Sequence, residues 1–175
     1  METTKNEMSP YAKQFFDKLS KYLDNKFYFY GSIQRLDYFP EYSDIDADLF
    51  TYNEQSTILK IQNFLGNQKN DFKKFIYKLH KSNRLVQGYK IKYADKMHNF
   101  KTEIAIYNEK YKNDVLLEHN LKTQLPFFIS ILIVTLKFFY YSLKIIPTDL
   151  YKYFKRIILN YMVEGRDAEF VIIDI

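Results

Sequence analysis

The 175-residue sequence has no cysteine and only four glycines and four prolines. Without cysteine there are no disulfides, no thiolate metal sites and no cysteine nucleophile. That suits a reducing compartment, and a cytoplasmic location is the expectation. So few glycines and prolines leave few breaks, which predicts long elements and few long loops. The first ten residues hold no apolar stretch of the kind a secretory signal needs. No internal repeat is visible. There is no P-loop, no G-x-G-x-x-G and no H-E-x-x-H. His80, His98 and His119 are scattered without metal-ligand spacing and read as surface histidines.

What is present is a strongly apolar, aromatic composition. Hydrophobic residues make up 47% and aromatics 19%, enough for a sizeable core and too much for a disordered polymer. The length fits one compact domain, or one domain with a helical appendage. Lys and Arg number 26 against 21 Asp and Glu, a net charge of +5. This mild excess permits a polyanionic partner such as RNA or a nucleoside triphosphate. A chain rich in Lys, Asn, Ile and Tyr would be as basic without any partner.

One run, residues 125–146, approaches the length of a membrane span. Lys137 stands in its middle and Lys144 near its end. A central Lys costs about 2.5–3.5 kcal/mol on the insertion scale. A helix buried in a folded domain accounts for the same residues, so no membrane crossing is expected.

Periodicity orders the elements. Tyr11, Phe15, Phe16, Leu19 and Leu23 recur at helical steps after Ser9-Pro10, and Asp24-Asn25 closes that helix. Residues 26–30 read as an aromatic strand. Gly31-Ser32 follows, with Ser32 predicted to cap a short helix running towards Phe39. Residues 44–52 read as a second strand, with Ile45, Ala47 and Leu49 on one face and Asp44, Asp46 and Asp48 on the other. A helix is expected over 53–65, stopped by Gly66. Another is expected over 71–80, from Phe72, Phe75, Ile76 and Leu79. Residues 85–93 and 100–107 form a predicted hairpin around the polar 94–99. Beyond Asn108 the pattern is helical to Met162, with starts at Pro126 and Pro147, and 170–175 is a short apolar tail. The fold class is therefore α+β: a mixed sheet flanked by helices over residues 1–108, then a closely packed helical part over 109–175.

Asp44 and Asp46 lie two apart on one strand, so their side chains share a face, about 6.5–7 Å apart at the backbone. Carboxylates are hard ligands suited to Mg²⁺ or Mn²⁺. Two of them can bridge a pair of ions about 3.5–4 Å apart for displacement at phosphorus. Three acids on one strand face repel one another, unless the strand is a solvated edge. Asp46 and Asp48 satisfy the same alternation. Gly31-Ser32 at a strand end offers backbone N–H groups and a hydroxyl to an anion, although Gly-Ser alone is usually an ordinary turn.

Tyr30-Gly31-Ser32, eleven residues, then Asp44-Ile45-Asp46-Ala47 resembles the signature of the polymerase-β-like nucleotidyltransferase superfamily. The resemblance implies a nucleotidyltransferase-type sheet, a third carboxylate on a later strand, and transfer of a nucleoside monophosphate from an NTP to a hydroxyl. Glu103 stands where that third acid is expected; the family more often has Asp. Many relatives carry a further Gly shortly after Gly-Ser. This chain has Ile33-Gln34-Arg35-Leu36-Asp37 instead, and Arg35 is a candidate substitute for the missing phosphate contacts. Leu132-Ile133-Val134-Thr135-Leu136-Lys137 resembles a helix of the poly(A) polymerase-like branch, which implies that Lys137 faces the triphosphate. The implied site is Asp44, Asp46 and Glu103 holding two Mg²⁺ or Mn²⁺ ions, with Gly31, Ser32 and Lys137 binding an NTP, ATP first among them. The implied acceptor is an RNA 3′ end. A small antitoxin-like enzyme acting on protein or a small molecule, or a non-catalytic binding module, would keep the same fold. Asp37 is read as outside the chemistry.

Overall fold

A computed structural model describes residues 3–66, 71–162 and 170–173. Helix α1 spans Pro10–Leu23. Ser9 Oγ accepts the Ala12 N–H, Pro10 needs no partner in the first turn, and Asp24 ends the helix in a left-handed conformation. Strand β1 (Tyr28–Tyr30) leads into a four-residue 3₁₀ turn, Gly31–Gln34. Strand β2 spans Ile45–Thr51, and helix α2 spans Glu54–Leu65, capped by Asn53 and ended by Gly66. Strands β3 (Lys73–Lys78), β4 (Leu85–Asp95) and β5 (Phe100–Asn108) follow. After a 3₁₀ turn come α3 (Lys112–Thr123), α4 (Phe127–Lys137) with a π-helical turn Phe138–Ser142, and α5 (Thr148–Met162). Strand β6 (Phe170–Ile173) closes the described chain.

The strands form one mixed sheet in the order β1-β2-β5-β4-β3-β6. Only β2 and β5 run parallel; the other pairs are antiparallel. The fold is α+β, with helices flanking the sheet and a helical C-terminal part. Ile45, Ala47 and Leu49 join Phe15, Phe16 and Leu19 of α1 and Ile58 and Ile61 of α2 in one apolar cluster. The opposite sheet face carries a second cluster, with Phe50, Phe75, Tyr77, Ala105 and Tyr107 packed beneath Val115 of α3. The alternation read along β2 is therefore real: its aliphatic side faces α1 and α2, and its acidic side faces α3.

Two expectations fail. The helix expected over 71–80 is strand β3. Phe72, Phe75, Ile76 and Leu79 fit the helical period, whereas Phe75, Tyr77 and Leu79, buried at alternate positions, fit the strand period. Pairing with β4 and β6 settles the choice, because ladder hydrogen bonds and burial outweigh local preference. The helix expected from Ser32 towards Phe39 is only the 3₁₀ turn. Tyr30 precedes it as its N-cap and Arg35 is already extended, so Ser32 lies within it.

Pro126 and Pro147 do open α4 and α5, whose first backbone bonds run Ser130 N–H to Pro126 O and Tyr151 N–H to Pro147 O. Among the described residues no single helix is long and apolar enough to cross a membrane; the segments Glu109–Thr123 and Phe127–Ser142 meet at 79°. Residues 170–173 of the apolar tail are strand, and 174–175 lie outside the described residues.

Candidate functional site

The sheet register sets Asp46 and Glu103 side by side on neighbouring strands, next to the start of the Gly31 turn. Tyr30 pairs with Asp46 across β1 and β2, and Asp46 pairs with Glu103 across β2 and β5. Asp46 is thus flanked by the start of the Gly31 turn on one side and by Glu103 on the other. Gly31 has φ +71°, and a Cβ there would overlap Asp46 Oδ2. Both facts require glycine: the backbone is left-handed and the space belongs to a carboxylate. Ser32 is buried in the same turn, and its carbonyl accepts the Arg35 N–H. Asp44 stands exposed one residue ahead of β2.

Burial pushes the Asp46 carboxyl up to about 7; the charges of Glu103 and Asp44 add to the rise, Lys155 opposes it, and Asp48 adds a little more. Crowded acids with one nearby cation describe a place that gains from added positive charge. Glu103 already has some: Lys90 Nζ lies 3.4 Å from Oε1 and Lys92 Nζ 3.2 Å from Oε2. The donor chemistry suits a hard divalent ion, since all three groups are carboxylates. Yet no three acid or histidine side chains among the described residues converge as a ready cation site. To share an ion with Asp46, Glu103 would have to leave its lysines.

Below Asp46 the acidic face continues into the interior. Asp48 is fully buried, and His119 Nε2 of α3 lies 2.8 Å from its Oδ2. The His119 ring stacks on Tyr30 with centroids 3.9 Å apart and planes 14° from parallel. Burial raises the Asp48 carboxyl, His119 opposes the rise, and Glu103 adds to it. His119 is therefore no surface histidine. It joins α3 to the residue preceding Gly31. The same helix face sends Glu118 to the Tyr77 hydroxyl (3.2 Å) and to the backbone N–H groups of His80 (3.1 Å) and Lys81 (3.4 Å). Val115, Glu118, His119 and Lys122 recur at helical steps. That spacing was the one available signal, and it names a face without naming its partner.

The third cluster lies in the loop between Gln34 and Ile45. Arg35 grips Asp37 with two hydrogen bonds, of 2.7 and 3.1 Å. Lys137 Nζ of α4 lies 2.8 Å from Asp37 Oδ2; it also donates to the Asp37 carbonyl and, at 3.5 Å, to Ser43 Oγ. Burial works against the Asp37 charge, yet Arg35 and then Lys137 hold its carboxyl down at about 2. Burial lowers the Lys137 ammonium too, and Asp37 opposes that. Asp37 stays ionised through neutral pH because it has two cations. Arg35 and Lys137 thus meet on Asp37 and fasten the loop that delivers Asp44. Asp37, read as outside the chemistry, anchors that loop. Lys155 of α5, which no motif marked, is the cation whose charge bears on Asp46.

No family model matches this chain, and no curated protein matches it. A solved structure of a GLD-2/RNP-8 complex is a loose likeness at 15% identity, covering 93% of this chain and 70% of that one with a TM-score of 0.34.

Proposed function

We propose that the protein is a metal-dependent nucleotidyltransferase, moving a nucleoside monophosphate from an NTP to an acceptor hydroxyl. The observation that carries this is the Gly31 turn held against Asp46, with Glu103 in register beyond it. ATP is the first candidate donor and an RNA 3′ end the first candidate acceptor, on the basic charge balance and the resemblance of 132–137.

Asp44, Asp46 and Glu103 would hold Mg²⁺ or Mn²⁺. Such ions, when bound, neutralise phosphate charge and acidify the acceptor hydroxyl. The hydroxyl oxygen bonds to the α-phosphorus, the bond from it to the bridging oxygen breaks, pyrophosphate leaves and the hydroxyl proton passes to solvent. The chain's own work is positioning. Gly31 and Ser32 set the backbone beside the carboxylates. Lys155 offers the triphosphate a cation. Lys137 acts from behind, through Asp37, by fixing the loop ahead of Asp44.

A non-catalytic binding module is the second reading. It is favoured by one observation, the Lys90 and Lys92 ion pairs that occupy Glu103.

Incubation with each labelled NTP, either metal and an oligoribonucleotide separates the two. The expected result is label transfer that Asp46→Asn abolishes and Glu41→Gln, at an exposed acid, leaves unchanged. A folded protein that transfers label to no RNA, protein or small hydroxyl acceptor with either metal would sink the enzyme reading.

A further inference from the structure

The inner face of α4 buries Ile129, Ser130, Ile133, Leu136 and Lys137 against the rest of the protein. Its outer face is just as apolar and is not covered. Phe127, Phe128, Ile131, Leu132, Phe138 and Phe139 are 37–73% exposed. At the helical rise this stripe runs about 18 Å. Helix α5 packs beside it, Tyr151 stacking on Tyr140 with ring centroids 4.1 Å apart. It exposes an apolar stripe of its own: Leu150, Tyr153, Phe154 and Ile157 are 41–51% exposed at i, i+3, i+4 and i+7. A monomer seldom leaves so many large apolar side chains in contiguous stretches without something to cover them.

The charge around these stripes says what covers them. From His119 to Leu159 the sequence has one acid, Asp149, against six Lys and Arg. Lys122 and Lys137 turn inward to Glu118 and Asp37. Lys144, Lys152 and Arg156 are exposed and have no ion-pair partner among the described residues. On α5 the cations Lys152 and Arg156 stand beside the apolar stripe, the arrangement of a helix that lies in a bilayer interface.

We propose that the outer face of α4 and α5 rests on an anionic lipid surface, with the aromatic and aliphatic side chains in the headgroup boundary and Lys144, Lys152 and Arg156 at the lipid charges. This is contact, not a crossing: Lys137 is on the opposite side of α4, held by Asp37. A second copy fits less well, because a two-fold interface sets the same basic rim against itself. RNA fits less well because Ile131, Leu132, Leu150 and Ile157 gain nothing from phosphates or stacked bases. The inference is independent of the proposed transferase activity.

The test is co-sedimentation of the full chain with phosphatidylcholine vesicles, with and without phosphatidylserine, beside sedimentation velocity without lipid. The chain is expected to pellet with the anionic vesicles and to be released by high salt. Phe128→Ser with Leu132→Ser, and separately Lys152→Glu with Arg156→Glu, should each weaken binding roughly tenfold or more while circular dichroism stays unchanged. All four positions are exposed, so the fold should survive. Failure to pellet with anionic vesicles overturns the proposal. So does a lipid-free dimer, or binding to an oligoribonucleotide, that the Phe128→Ser, Leu132→Ser variant abolishes.

Discussion

Helix α1 turns Ala12, Phe15, Phe16, Leu19 and Leu23 inward and buries all five, whereas α5 leaves Leu150, Tyr153, Phe154 and Ile157 in solvent. Both helices are amphipathic, and their apolar residues recur with the same period. The difference lies in what stands opposite. α1 meets the aliphatic side of β2 together with α2; α5 is packed beside α4, and the two leave their outer sides open. Periodicity says that a helix has an apolar face and nothing about what covers it. The N-terminal half has an apolar core covered by its own helices, while α4 and α5 turn only one side inward, α4 with Ile129, Ile133 and Leu136 beside Lys137 on Asp37, and α5 with Tyr151 on Tyr140.

Truncations should separate the two regions sharply. Phe16→Ala, at a fully buried ring, is expected to cost about 3–5 kcal/mol in urea denaturation. If it costs no more than an exposed Phe154→Ala, the contrast between the helices is wrong. The fastening of α4 should be nearly as sensitive to a single change. Lys137→Met leaves Asp37 buried with only Arg35, and removing one partner of a buried pair costs roughly 3–5 kcal/mol. Arg35 should pull the loss towards the lower end. Lys137→Met combined with Asp37→Asn should cost less than the sum of the two single changes, read from a double-mutant cycle.

The same contact gives a pH signature. An ordinary Asp titrates near 3.9, and Asp37 is held at about 2. A carboxyl lowered on folding contributes stability that is fully present above its unfolded value and is lost as pH falls through its folded value. The expected contribution is about 2–3 kcal/mol, fading from about pH 4 down to about pH 2. Denaturation curves across that window should flatten in Asp37→Asn. Next comes Gly31→Ala, where the left-handed backbone and the overlap with Asp46 should together cost about 1–3 kcal/mol. At the small end, Phe154→Ala should change the unfolding free energy by no more than about 0.5 kcal/mol. A larger loss would mean that the outer face of α5 is already covered within the monomer.

Much of the fold was legible because its signals are local. Ser9-Pro10, Asn53 and Gly66 mark helix ends, and the polar 94–99 between two aromatic strands marks the hairpin. β3 was not legible, since the choice between strand and helix was made by its partners β4 and β6. In the candidate site, Gly31, Asp46 and Glu103 stood out because residue type and spacing coincide with a known signature. His119 and Lys155 did not, because what they face comes from distant parts of the chain. Lys137 was singled out for its oddity in an apolar run, but its partner lies 100 residues away, and no spacing rule joins them.

The glycine at 31 has a consequence for relatives of this chain. Position 31 can accept a β-carbon only where position 46 has given up its carboxylate, because both claim the same volume. The two codons are therefore tied across β1 and β2. A relative with a side chain at the first should carry a shorter residue at the second, and shortening position 46 should relieve the overlap of Gly31→Ala while leaving the cost of its left-handed backbone.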